Sequence, residues 1–174
     1  APGINKDATQ LEDLNTVEIP NYDDIDWNQY YKLKFKKPVY VTGSRGCVKR
    51  CTFCNVYEIW PKYTFRSGES IAKEIIAVRE KYGRETFRFT DSLINGSMKA
   101  FKTLLEGLSE YRKTHSDDFT WVSQWIIRSK RQFPEDWYRM MKEAGCEEVE
   151  IGMESFVQKI RYDMKKKFTD EDMW

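Results

Sequence analysis

The chain has 174 residues and a mass of 20.8 kDa, with 29 Lys and Arg against 28 Asp and Glu. At 40% hydrophobic and 15% aromatic it carries enough apolar surface for one core without disulfides or a structural metal, which excludes a wholly disordered chain. A formal net charge of +1 provides no overall basic field for nucleic acid, no apolar run reaches membrane-spanning length, and Ala1-Pro2-Gly3 lacks the apolar stretch of a signal peptide, so a cytoplasmic location is expected.

The near-zero net charge hides a local asymmetry. Residues 1–31 hold seven acids (Asp7, Glu12, Asp13, Glu18, Asp23, Asp24, Asp26) and one base, Lys6. Residues 32–50 reverse this, with Lys32, Lys34, Lys36, Lys37, Arg45, Lys49 and Arg50 and no acid. Charge runs of this kind are usually solvated linkers and loops. Residues 1–36 therefore read as an N-terminal linker or wrapping segment with few elements of its own, and 37–174 as the folded domain.

From there strand and helix signals alternate. Val39-Tyr40-Val41-Thr42 is a short β-branched and aromatic run that ends in Gly43-Ser44-Arg45-Gly46. Ser67 suits a helix N-cap, Ile71, Ile75 and Val78 share one face behind it, and Gly83 suits the C-terminal end. Thr86 to Thr90 forms the second strand. Ser97 caps the next helix, with Phe101, Leu104, Leu105 and Leu108 at i, i+3, i+4 and i+7. Thr120 to Ile127 is the third strand. Pro134, at a first helical position, and Gly145 bracket a third helix with Trp137, Met140 and Met141 as its buried face. Val149-Glu150-Ile151 is the fourth strand, and Val157, Ile160 and Met164 mark a fourth helix. Thr169-Asp170-Glu171-Asp172 reads as a further helix N-cap with too little chain after it to complete a stable helix. The expectation is a fragment of a longer protein, or a chain whose fourth strand is covered by the rest of the protein or a partner chain. Four strand–helix units in succession argue for an α/β fold with a parallel sheet and right-handed crossovers, open or part of a β/α barrel.

Three of the four cysteines, Cys47, Cys51 and Cys54, crowd into eight residues after the first strand, and Cys146 stands far away. This is a metal or redox spacing rather than a disulfide framework. In parallel β/α folds ligands gather at the C-terminal ends of the strands, where this loop belongs. Cys146 and the single His115 fall on helix-to-strand connections at the opposite end, leaving three thiolates and no fourth protein ligand. Structural zinc takes four ligands, and no second C-x2-C is present. A four-iron cluster held by three cysteines keeps one iron open for a substrate or cofactor. A zinc-stabilised interaction domain and a noncatalytic iron–sulfur or electron-transfer module are the competing readings.

C-x3-C-x2-C with Phe53 before the last cysteine, set after a first strand, resembles the radical S-adenosylmethionine superfamily. Tyr63-Thr64-Phe65-Arg66-Ser67, Tyr82-Gly83 and Phe87-Arg88-Phe89-Thr90-Asp91-Ser92 follow the order seen in its members. The resemblance implies a partial (β/α) barrel, about four of the usual six strand–helix units. It also implies a [4Fe-4S] cluster on Cys47, Cys51 and Cys54 that binds S-adenosylmethionine and cleaves it to a 5′-deoxyadenosyl radical. Asp91 and Ser92 would meet the amino group of that cofactor, and Arg128 its carboxylate. Glu154 and Ser155 would accept from the ribose hydroxyls, with Gly152 permitting close approach of the backbone. Phe156 stands where the family often has glycine. For Asp91 the alternative is a loop cap, for Arg128 a surface salt bridge, for Glu154 a structural role. The lead segment resembles the linker of cobalamin-binding members, which implies cobalamin in a full-length protein. Arg45, Lys49 and Arg50 suit an acidic electron donor such as a flavodoxin or ferredoxin.

Overall fold

In the computed structural model, residues 9–30 and 38–173 are described, excluding the Tyr30 side chain. The 36/37 boundary and Lys32, Lys34, Lys36 and Lys37 of the basic run lie outside them. The segment before the domain contains a 3-10 turn, Leu14–Thr16, and a short helix α1, Trp27–Tyr30. Next come β1, Val39–Val41, a two-residue strand β2, Ser44–Arg45, helix α2, Val56–Ile59, and strand β3, Thr64–Phe65, which pairs antiparallel with β2. The alternation then sets in: α3 Gly68–Tyr82, β4 Thr86–Phe89, α4 Met98–His115, β5 Thr120–Trp125, α5 Asp136–Glu143, β6 Cys146–Ile151 and α6 Gln158–Asp163.

The main sheet has the order β1-β4-β5-β6 and every pairing in it is parallel. Chain-sequential parallel neighbours joined by helices are the geometry of a β/α barrel wall, and β1 and β6 do not pair, so the barrel is open. Burial alternates along the strands. Val39, Val41, Phe87, Phe89, Trp121 and Trp125 enter the core with Ile75, Phe101, Leu104, Leu105 and Leu108 of the helices. Phe101 meets Trp121 and Trp125 edge-on, and the Trp121 indole donates to the Ala144 carbonyl at 2.9 Å. The opposite sheet face is polar: Tyr40, Arg88, Gln124 and Glu150 alternate with the core residues, and Arg88 reaches across to Glu150 at 2.5 Å.

The capping signals act as their chemistry dictates. The Ser67 and Ser97 side chains accept from the amides of Ser70 and Ala100, and Gly83 takes the left-handed conformation (φ 65°) that ends α3. Three expectations need correction. Pro134 lies outside α5, whose N-cap is Glu135. The third strand stops at Trp125 and the fourth begins at Cys146, because Trp121 and Cys146 open a longer β5–β6 ladder around a register shift. The apolar residues Val157 and Ile160 of the fourth helix are exposed, and its buried residue is Arg161. Arg161 donates to the carbonyls of Ser155 and Phe168 and pairs with Asp170, so α6 is held by its own flanking loops. Thr169 does cap a turn: the Asp172 amide donates to its Oγ1 and the Thr169 amide donates to Asp172.

Among the described residues, one ion pair is wholly inside. Arg66 and Glu74 are 5% and 3% exposed, and Arg66 also donates to the Thr42 carbonyl at the end of β1 and to Ser70. Glu74→Ala should leave an unpaired buried guanidinium and cost about 3–5 kcal/mol in urea unfolding, whereas the double change Arg66→Met with Glu74→Leu should recover most of that loss. Equal losses in the single and double variants would remove the pair from the account.

Candidate functional site

The C-terminal ends of β5 and β6 and the loop after β1 surround a cavity of about 410 Å³. Cys47, Cys51, Cys54 and Phe53 form one wall, Ser92 and the β5 end (Gln124, Trp125) another, and Glu150, Gly152 and Glu154 a third. Lys166 and Phe168, from beyond α6, complete it. The cysteine loop is tied to that last wall directly, since the Thr52 amide donates to the Met164 carbonyl at 3.2 Å. Within the loop, the Lys49 amide donates to Cys47 Sγ at 3.4 Å and the Cys54 amide to the Cys51 carbonyl at 3.2 Å. Burial pushes the Cys51 thiol up, against the pull of the Lys166 ammonium.

All three cysteines are free thiols and half-buried. Among the described residues, no group of three His, Cys, Asp or Glu side chains is gathered as a ready-made metal site. An iron–sulfur cluster takes one thiolate at each of several irons, so its ligands stand around a space rather than converge on a point. Three thiols on one wall of an open cavity, with a fourth side left to non-cysteine groups, fit a three-cysteine cluster with a free coordination position. Cys146 plays no part: it opens β6 at the far end of the strand, and burial raises its thiol to about 12.

The residues anticipated for a cofactor divide. Phe53, Ser92, Gly152 and Glu154 line the cavity; Asp91, Arg128 and Ser155 do not. Asp91 is buried beneath it, accepting from the Gly43 amide at 2.8 Å and from the Ser44 hydroxyl. Arg128 is not among the lining residues and makes no surface salt bridge among the described residues, although the Cys47 thiol acts on it electrostatically. Its guanidinium donates to the carbonyls of Asn95, at 2.7 and 3.2 Å, and Gly96, at 2.9 Å. The Ser155 hydroxyl accepts from the Val157 amide and its carbonyl from Arg161, so it ties the turn that leads into α6. Glu154 is exposed to the cavity rather than buried, 3.4 Å from Lys166. It also takes the left-handed conformation itself, at φ 64°, while Phe156 projects outward at 75% exposure. Lys49, expected to suit an acidic electron donor, lines the cavity.

Lys166 was hidden in the run Lys165-Lys166-Lys167, which reads as a solvated charge cluster. Its side chain is only 13% exposed; the ammonium donates to the Gly152 carbonyl at 2.5 Å and lies 5.4 Å from the Phe53 ring. Lys165 and Lys167 on either side are left-handed (φ 60° and 56°), a backbone that non-glycine residues adopt at a cost and that turns the middle lysine inward. Asn95, fully buried, clamps the end of β5 by donating to the Ile126 carbonyl (2.8 Å) and accepting from the Ile126 amide (3.1 Å). Its signal was the Asn95-Gly96 pair, a turn marker.

Burial lifts the Asp91 carboxyl to about 6, opposed by the Ser44 hydroxyl and the Gly43 amide. Since the folded pKa exceeds the unfolded value of about 3.9, the native state holds the proton more tightly, and stability falls as pH rises from about 4 to about 6. Asp91→Asn, which keeps an acceptor for Gly43, should flatten that slope, worth on the order of 3 kcal/mol across the window. Denaturant melts at a series of pH values check it; a slope that persists in the variant assigns the titration to another group.

The family model described as Radical SAM superfamily matches residues 41–174. Cytidylyl-2-hydroxyethylphosphonate methyltransferase of Streptomyces wedmorensis is 25% identical over 178 aligned positions, covering 95% of this chain and 32% of that protein. The radical S-adenosylmethionine methyltransferase TsrM of Kitasatospora setae, solved with cobalamin and a [4Fe-4S] cluster, superposes with a TM-score of 0.65 at 20% identity over 79% of this chain and 26% of its own. The cobalamin-dependent S-adenosylmethionine radical enzyme OxsB, solved with aqua-cobalamin and S-adenosylmethionine, gives a TM-score of 0.57 at 21% identity over 80% of this chain and 21% of its own. The chain thus spans about a third or less of these proteins. With the match running from the end of β1 through the cysteine loop to the last residue, the chain belongs to the radical SAM superfamily.

Proposed function

We propose that the chain is the cluster-bearing and cofactor-binding core of a radical S-adenosylmethionine enzyme. The observation that carries this is the convergence of Cys47, Cys51 and Cys54 on one cavity with Ser92, Gly152, Glu154 and Lys166 opposite. The chemistry a cluster supplies there is one-electron reduction of the bound sulfonium, giving methionine and a 5′-deoxyadenosyl radical that takes hydrogen from a substrate. The three thiolates hold a [4Fe-4S] cluster, and the loop's tie to Met164 keeps them facing the opposite wall. Ser92 and Glu154 accept from the ammonium and ribose hydroxyls of S-adenosylmethionine, and the Lys166 ammonium meets its carboxylate. The polar inner face of the sheet, with Gln124 and Glu150, continues from this cavity toward the space for a substrate.

The Streptomyces wedmorensis relative and TsrM are named as methyltransferases, and two similar structures are described with cobalamin, which supports a cobalamin-associated enzyme as the full-length protein. Arg45 and Arg50 flank the cysteine loop, stacked on Trp60 and Tyr57, and offer positive charge to an acidic donor such as a flavodoxin or ferredoxin. Among the described residues no helix is long and apolar enough to cross a membrane.

Anaerobic reconstitution with iron and sulfide should give a brown protein whose absorbance bleaches with dithionite, and added S-adenosylmethionine should then yield 5′-deoxyadenosine. Cys51→Ala should lose the colour and the product together. A colourless zinc protein would overturn the assignment, and a cluster-loaded protein that forms no 5′-deoxyadenosine would favour the electron-transfer module. Lys166→Ala should weaken S-adenosylmethionine binding about tenfold, the loss of one charge-assisted hydrogen bond, with the iron content unchanged.

A further inference from the structure

Gln10 forms a two-point pair with the backbone of Lys62: its amide nitrogen donates to the Lys62 carbonyl at 2.8 Å, and its oxygen accepts from the Lys62 amide at 3.2 Å. The same nitrogen reaches Thr64 Oγ1 at 3.1 Å. Five residues on, Asn15, itself held by Asp13, accepts from the Ser67 amide at 2.8 Å. The segment before the domain therefore grips residues 62–67, the return leg of the excursion that carries the cysteines. The exposed Glu12–Lys62 ion pair adds little.

The return leg in turn bears on the cysteine loop. Gly46, immediately before Cys47, has φ 83°, and a Cβ there would lie 2.6 Å from the Lys62 carbonyl oxygen, the same oxygen that Gln10 binds. Only glycine fits that approach. Ser44 and Arg45 pair with Phe65 and Thr64, and Arg50 donates to the Pro61 carbonyl at 2.8 Å. The most direct path from strap to thiol runs through the Lys62 carbonyl, which Gln10 binds and which limits where Gly46 and Cys47 can sit, and the Thr64–Arg45 pairing runs beside it.

We infer that residues 10–15 are a positioning strap for the cysteine loop, with Gln10 as its positioning residue. The consequence for a cluster rests on the proposed function; the mechanical coupling does not. Gln10 touches neither a thiol nor the cavity, and it acts by removing freedom from the Lys62–Gly46 contact.

Hydrogen exchange of the full-length protein as purified tests the coupling. Gln10→Ala should raise exchange about tenfold across 44–54 and 60–66, the effect of one or two lost hydrogen bonds, and leave α4 unchanged. Gln10→Glu keeps the acceptor for the Lys62 amide but sets a carboxylate oxygen against the Lys62 carbonyl, and should raise exchange at least as much as Gln10→Ala. Asn15→Ala should raise exchange only at the start of α3. Exchange in 44–54 that stays at the parent level in Gln10→Ala, or rises equally in α4, would overturn the strap. In reconstituted, reduced protein, Gln10→Ala should also shift the cluster's electron paramagnetic resonance g-values at unchanged iron content, and unshifted g-values would overturn the strap's effect on the cluster. Failure of the parent protein to load any cluster would sink the functional reading, while the exchange comparison would still decide the strap.

Discussion

The site depends on a buried carboxylate that never faces the cavity. Asp91, at the end of β4, takes the Gly43 amide and the Ser44 hydroxyl where the chain leaves β1, and the Arg66 amide donates to the Gly43 carbonyl at 2.8 Å from the other side. The launching point of the cysteine loop is held between a strand end and the return leg of the same excursion. A charged or half-charged group in that position is costly to bury, and it is tolerated because its two acceptor oxygens are each occupied. The neighbouring Arg66–Glu74 pair extends the same polar floor by binding the Thr42 carbonyl. Thiols on a loop of this length could point anywhere without that floor.

Above the floor, the walls come from parts of the chain far apart in sequence. The cysteines come from the loop after β1, Ser92 from the loop after β4, Gln124 and Trp125 from the end of β5, Glu154 from the loop after β6, and Lys166 from beyond α6. A parallel sheet brings these together because each strand ends on the same side. The helices crowd the other face with aromatic and leucine side chains, which leaves the polar face of each strand to look inward at the site. Left-handed residues at Glu154, Lys165 and Lys167 concentrate around the last wall, where buried Arg161 binds Ser155, Phe168 and Asp170 and holds the strained turns in place.

Much of this was legible in the residues. Helical periodicity and serine caps located α3 and α4, because an amphipathic face and a cap are local and repeat every few residues. The cysteine spacing located the loop, and strand-to-helix order placed it at the correct end of the sheet. The fourth helix misled because its apolar residues face outward and an arginine is its buried member. Lys166 was invisible for a related reason: three consecutive lysines carry no periodicity, and only the left-handed turns on either side make the middle one point inward.

Sequence alone determined the four alternating strand–helix units, their parallel sheet and the three thiols, since each rests on local propensity, capping or spacing, while the short β2–β3 pair and α2 between them carried no such signal. Tertiary structure decided which polar groups line the cavity and which bond the backbone. Asp91 and Arg128 carry the charges a cofactor site would want, yet one is bound by Gly43 and Ser44 and the other by the carbonyls of Asn95 and Gly96. A strand end has unpaired backbone groups that must find partners, and the nearest buried side chains meet that demand first. Which side chain is nearest depends on how loops cross in three dimensions, and residue order does not contain that.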